Sequence, residues 1–281
     1  MRLIREKSEL RRWRSVCRGS GETVALVPTM GSLHEGHLRL IDRARDLADR
    51  VVVSIFVNPL QFGPEEDFER YPRDLDADLH LADERKVDVV FAPSGSEMYP
   101  ADGVWTAVVP DRGADRLCGR TRPGHFRGVL TVVAKLLGIA QPEVAVFGRK
   151  DFQQAVLIRR MVRDLDLPVS VEVAPIVRED DGLALSSRNR YLSAADRTRA
   201  LALVGALEAC RDAFRAGEQD AGELVSVLRR RLQEADGVAV EYAEVVDPER
   251  LEPVDPVSAG SVAAVAALVG GTRLIDNMIL E

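Results

Sequence analysis

The chain has 281 residues, enough for one large or two smaller domains, and its 46% hydrophobic and 30% charged residues exclude a disordered or fibrous chain. A formal net charge of -7 argues against a broad basic surface for nucleic acid, and no apolar run reaches membrane-spanning length. Cys17, Cys118 and Cys210 are too scattered for a disulfide framework or a zinc site, and the charged opening from Met1 to Lys7 lacks the apolar core of a secretory leader. The expectation is a soluble, cytoplasmic protein that handles small molecules, with no nucleic-acid or membrane partner.

Arg2, Arg5, Arg11, Arg12 and Arg14, interleaved with Glu6 and Glu9, predict a solvated amphipathic helix at the start. Short apolar runs follow at Val24 to Val27, Val51 to Val57, Val87 to Phe91, Val144 to Phe147 and Val169 to Pro175. They alternate with helical periodicity over Leu38 to Ala48, Arg73 to Arg85, Gly128 to Leu137 and Phe152 to Asp166. This alternation predicts an α/β fold, a Rossmann-like parallel sheet with right-handed crossovers and helices on both faces.

After Pro175 the pattern changes to a polar loop, so residues 1–178 form the expected Rossmann-like domain. Residues 179–281 form a second, smaller α+β domain, expected to close over the active site. In it, helices are expected over Ala194 to Arg215 and Gly222 to Ala235, and antiparallel strands over Val238 to Val246, Val262 to Leu268 and Thr272 to Leu280. The Ala-Val-rich segment from Ser261 to Leu268 fits a helix by periodicity equally well.

Two of the four histidines, His34 and His37, stand three residues apart in His-Glu-Gly-His, where the first of these strands hands over to a helix. A helix N-terminus offers unpaired backbone N–H groups and the positive end of the helix dipole to a phosphate, and Gly36 permits close approach. Metal ligation is a second reading of the pair, but the chain has no HExxH and no CxxC. Capping or packing histidines are a third. Farther on, Leu185-Ser-Ser-Arg-Asn-Arg190 is dense in hydroxyl, guanidinium and amide donors and suits phosphates, although turn-forming residues of this kind also build exposed linkers.

The ordered set His34-Glu-Gly-His37, Val53 to Gly63 (Val-Ser-Ile-Phe-Val-Asn-Pro-Leu-Gln-Phe-Gly), Tyr71-Pro-Arg73, Arg122-Pro-Gly-His-Phe-Arg-Gly128, Phe147 to Gln154 (Phe-Gly-Arg-Lys-Asp-Phe-Gln-Gln) and Leu183 to Tyr191 resembles the pantoate–beta-alanine ligase family, the pantothenate synthetases. The histidine pair and the Ser-Ser-Arg loop also resemble the HIGH and KMSKS elements of the wider nucleotidyltransferase superfamily. The resemblance spans residues 20 to 192 without large gaps and continues more loosely to the C-terminus.

It implies a reaction in which ATP and (R)-pantoate form pantoyl adenylate and pyrophosphate, after which beta-alanine displaces AMP; Mg2+ accompanies ATP, and the enzyme is a homodimer. The positions matching the family's ATP-binding residues are Met30, Gly31, Ser32, Leu33, His34, Glu35, Gly36, His37, Gly148, Arg149, Lys150, Asp151, Val177, Leu185, Ser186, Ser187 and Arg188. Within these, His34, His37, Lys150, Ser186, Ser187 and Arg188 are the expected catalytic groups, with His37 the proton donor. Positioning and charge neutralisation by such groups are what attack of a carboxylate on an anionic phosphate requires.

Gln61 and Gln154 match the pantoate ligands, and Asp76 and Asp78 are candidate aids to Mg2+ binding, with acids on a surface helix as the alternative reading. The chain departs from the common pattern at Arg149, which reverses a charge, at Leu185, which keeps an apolar contact, and at Cys118, where several relatives carry Glu. Two other functions compete: nucleotidyl transfer to a phosphorylated metabolite, which calls for an additional basic cluster, and non-catalytic nucleotide sensing, which has no need for the full reacting set.

Overall fold

The computed structural model describes residues 1–64 and 66–281. The elements in chain order are β1 (Arg2–Ile4), α1 (Lys7–Gly19), β2 (Val24–Thr29), α2 (Glu35–Leu47), β3 (Arg50–Ile55), α3 (Leu75–Glu84), β4 (Val89–Phe91), α4 (Gly95–Met98), α5 (Leu117–Thr121), α6 (His125–Ala140), β5 (Val144–Gly148), α7 (Phe152–Asp164), β6 (Ser170–Ala174), α8 (Ala194–Arg215), α9 (Ala221–Gln233), β7 (Val238–Val246), β8 (Val262–Val269) and β9 (Thr272–Ile279). Short 3-10 turns add Pro59–Gln61, Arg149–Asp151 and Ser187–Tyr191. The chain divides into two compact units: Met1–Asp111 with Arg122–Arg149 and Leu157–Pro175, and Arg112–Thr121 with Lys150–Val156 and Ile176–Glu281. Two short stretches ahead of residue 178 thus group with the second unit.

In the first unit six parallel strands lie in the order β1-β4-β3-β2-β5-β6. Val24, Val27, Val51, Val52, Val53, Val89 and Val90 of the central strands are fully buried, as strands covered on both faces require. Leu38, Leu40, Ile41 and Ala44 recur on one stripe of α2 and pack into the same core as Val27, Val53 and Val146. The strand order reverses direction between β2 and β5. In an open parallel sheet a ligand binds outside the carboxyl ends of the strands at such a switch point. The chain leaves β2 into the loop before His34 and leaves β5 at Gly148-Arg149, so both motifs flank it.

The opening differs from the sequence expectation. Arg2–Ile4 is an edge strand parallel to β4, with Ile4 fully buried, and the helix begins only at Lys7. Three residues are too few to display a strand period, and the adjoining charges belong to the helix that follows.

The second unit carries the antiparallel sheet β7-β8-β9 with α8 and α9. Ala263, Val265, Ala267 and Val269 of β8 pack with Leu203 and Leu207 of α8 and Leu228 of α9. The Ala-Val segment is therefore a strand. It is the middle one, hydrogen bonded on both sides, and small alternating residues allow helices to lie close over it. Among the described residues no helix is long and apolar enough to cross a membrane.

Candidate active site

In the first unit the chain turns sharply after β2. Gly31 and Ser32 both have positive φ, 80° and 52°, which throws the backbone from the sheet into α2. A side chain at Gly31 would meet Asp78 Oδ2 at 2.7 Å, so the residue must be glycine on two counts. The buried Asp78 of α3 secures the turn: Oδ2 accepts the Ser32 N–H at 2.9 Å and Oδ1 the Leu33 N–H at 2.7 Å. Both carboxylate oxygens thus accept from backbone, and this placement gives Asp78 a loop-holding role. Thr29 completes the turn, its hydroxyl donating to the Ser54 carbonyl and accepting the Gly31 N–H.

His34 is the N-cap of α2, its Nδ1 accepting the Gly36 N–H at 3.2 Å. His37 Nδ1 accepts the His34 N–H at 3.4 Å, and the two rings lie 4.1 Å apart between centroids. Acceptance at Nδ1 selects, for the neutral rings, the tautomer with its proton on Nε2. The capping reading of the sequence and the functional one are therefore compatible: Nδ1 caps the helix, and a neutral ring then carries its proton on Nε2. Glu35 begins the helix and pairs with Arg39 and Arg85.

The turn at Pro59–Gln61 brings Gln61 to this loop, its Nε2 lying 3.0 Å from Met30 Sδ. Asn58, 1% exposed, orients the amide by donating to Gln61 Oε1 at 3.1 Å, and its own Oδ1 accepts from Tyr99 Oη at 2.7 Å. Burial pushes the Tyr99 phenol up to about 12, keeping it a donor. The Gln61 carbonyl lies 2.8 Å from His125 Nδ1 and 3.3 Å from the Arg122 guanidinium, which also grips Glu66 through two bonds of 2.6 Å. Gly128 of α6 lies so close to Leu60 that an added Cβ would sit 2.1 Å from its carbonyl oxygen. Asn58, Arg122 and His125 lie within the family motifs of the sequence, but their hold on Gln61 is visible only once folding brings the partners together.

A separate open cleft of about 670 Å³ in this unit is lined by Tyr99, Trp105, Thr131 and Lys135 and includes none of the motif residues.

In the second unit, Lys150 is 22% exposed, lies 3.9 Å from Asp151, and has its carbonyl held by Asn277. Gln154 is partly buried at the start of α7. Its neighbour Gln153 is a fastening residue, donating at 2.7 Å to the carbonyls of Gly113 and Arg116. The Val177–Leu185 segment is pinned by the bond from Leu185 N to Val177 O and by a bridge between Arg178 and Ala184. Ser186 then caps the 3-10 turn that carries Ser187 and Arg188, its Oγ accepting from Arg188 N. Asn189 ties this turn back to Glu179 and Ala184. Cys118 is buried, its sulfur 3.2 Å from Tyr242 Oη. Among the described residues no three His, Cys, Asp or Glu side chains gather as a metal-binding group.

A parallel sheet with a histidine-capped helix beside its switch point defines a nucleotide-handling α/β enzyme. The sequence profile described as pantoate–beta-alanine ligase matches residues 2–279. The chain is 51% identical to the pantothenate synthetase of Heliobacterium modesticaldum over 281 residues, the whole of both chains. The structure of the Thermus thermophilus pantothenate synthetase superposes with a TM-score of 0.94 at 46% identity, covering 100% of this chain and 99% of that one. That of the Francisella tularensis pantoate–beta-alanine ligase, complexed with beta-gamma ATP and beta-alanine, superposes with a TM-score of 0.80 at 33% identity, over 99% of this chain and 97% of the other. The chain belongs to the pantoate–beta-alanine ligase family and is an ATP-dependent ligase that joins pantoate to beta-alanine.

Proposed function

We propose that the ligation runs through pantoyl adenylate: the pantoate carboxylate attacks the α-phosphorus of ATP, pyrophosphate leaves, and the beta-alanine amine displaces AMP. The observation that carries this reading is the histidine pair at the N-terminus of α2 beside the β2/β5 switch point, with the Nε2–H tautomers selected by the Nδ1 contacts. His34 and His37 donate to phosphate oxygens, and the backbone from Met30 to Gly36 forms the anion-binding turn. Lys150, Ser186, Ser187 and Arg188 neutralise the charge that grows on the leaving pyrophosphate, while Gly148, Arg149, Asp151, Val177 and Leu185 line the nucleotide. Gln61, whose amide is oriented by Asn58, and Gln154 bind the hydroxy acid. A neutral amide leaves the attacking carboxylate less firmly held in its ground state than a guanidinium would.

Mg2+ is proposed to arrive on the triphosphate, a common mode for this ion, which needs few protein ligands. Asp78, whose oxygens each accept one loop N–H, is the candidate side chain to assist it. A cytoplasmic homodimer is the expected form, supported by the exposed apolar side chains of Trp105 and Val109, 87% and 62% exposed, which a second copy would cover.

The test is isotope exchange. Labelled pyrophosphate should enter ATP with pantoate present and beta-alanine absent, and His37→Ala should slow this by roughly 10²-fold, the usual loss for one transition-state donor. Release of ADP in the full reaction, with no pantoate-dependent exchange, would refute the adenylate.

A further inference from the structure

Strand β9 carries two adjacent polar residues, Asp276 and Asn277, that are 4% and 3% exposed. Successive strand residues point to opposite faces of a sheet. Asp276 pairs with Val265, which belongs to the helix-covered core, whereas Asn277 pairs with Ala264, which lies outside that core. The two side chains therefore reach different segments of the second unit.

Asp276 takes Arg178 in a two-pronged grip, Oδ2 to one guanidinium nitrogen at 2.6 Å and Oδ1 to the other at 3.0 Å. Arg178 passes the constraint on, donating at 3.0 Å to the Gly182 carbonyl, while its backbone bridges to Ala184 just before Leu185–Arg188. Asn277 Nδ2 donates at 3.1 Å to the carbonyl of Lys150. The Asn277 backbone N–H in turn donates to Asp276 Oδ1 at 2.7 Å, so the two anchors are also tied to each other.

We infer that Asp276 and Asn277 are positioning residues for the adenylating step, one strand setting the Ser186–Arg188 turn from one face and Lys150 from the other. This rests on the reading of Lys150 and Ser186–Arg188 as the groups that bear pyrophosphate charge. Stability alone does not require the pair. A buried ion pair costs desolvation that packed apolar residues avoid, and replacing one by apolar side chains is often neutral or stabilising. Directional contacts, in contrast, can hold donors to the tolerance that charge stabilisation demands.

The test compares Asp276→Asn, Asn277→Leu and Arg178→Lys with Lys150→Ala and Arg188→Ala, reading pantoate-dependent pyrophosphate exchange per folded enzyme together with KM for pantoate. Arg178→Lys retains the charge and loses the two-pronged grip, so it carries the test if Asp276→Asn does not fold. The positioning variants should fold, keep pantoate KM within about twofold, and lose about tenfold in exchange kcat, which corresponds to about 1.4 kcal/mol of transition-state stabilisation. A lowered melting temperature with unchanged kcat overturns the inference, as does a wild-type rate in all three. If Lys150→Ala and Arg188→Ala themselves exchange normally, the assignment of the pyrophosphate groups fails instead.

Discussion

Asp78 Oδ1 accepts the backbone N–H of Leu33 at 2.7 Å across 45 residues of sequence, and the carboxylate is 3% exposed. Together with the bond from Ser32 N, this holds a turn with two consecutive positive-φ residues directly ahead of the His34 cap. The direction of α2, and with it of both imidazoles, depends on an acidic side chain from a different helix.

Asp78→Asn should therefore impair nucleotide handling rather than acid handling. One amide oxygen can still accept, but the NH2 group replaces an acceptor and faces a backbone donor, and a buried donor left without a partner costs about 1–3 kcal/mol. Expected are a lower melting temperature and an ATP KM raised about tenfold, with pantoate KM little changed. Magnesium titration separates this role from ligation: if raising Mg2+ restores the variant, Asp78 binds metal as well.

Gly128→Ala should damage pantoate use specifically. The added Cβ would lie 2.1 Å from the Leu60 carbonyl oxygen and 2.7 Å from the Gln61 nitrogen, and backbone cannot yield as a flexible side chain can. The Pro59–Gln61 turn must move. Displacement of a positioning group by about 1 Å can cost on the order of 10²-fold in rate. Steady-state kinetics should show kcat/KM for pantoate falling on that scale with ATP binding, read by calorimetry, close to wild type. Equal loss of both would place Gln61 elsewhere than at the hydroxy acid.

The clamp beneath Gln61 predicts an acid limit on stability. Burial pushes the Glu66 carboxyl up, but the bonds and charge of Arg122 outweigh it and hold the group below its ordinary value. A carboxyl depressed by folding adds stability that is fully present above its unfolded pKa and is lost as pH falls through the lower folded one. The Glu66–Arg122 contribution, about 1.5–3 kcal/mol for charged hydrogen bonds, should be flat near neutrality and disappear only below the ordinary carboxylate range. Denaturant melts of the chain and of Glu66→Gln across that range check this. The gap between the two should close in acid, and a gap that is independent of pH would show that Arg122 does not depend on the Glu66 charge.

The α/β class, the parallel sheet and its Val-rich strands, helix α2 with its apolar stripe and its histidine start, and the family itself were all legible in the sequence. Each is written in local period, in capping chemistry or in an ordered run of motifs, and needs no knowledge of what lies across the fold. The sequence could not decide whether the Ala-Val run was strand or helix, since small apolar residues satisfy both periods; pairing with β7 and β9 made it β8.

It also read Arg2–Ile4 as helix, because an edge strand of three residues is recognisable only by its parallel partner β4. Tertiary structure alone directed Asp78 to the loop backbone, set Asn58 against the Gln61 amide, and attached Asn277 to Lys150 from 127 residues away. A buried polar side chain must find a partner, but which partner is settled by packing of distant segments, and no local pattern in the chain records that choice.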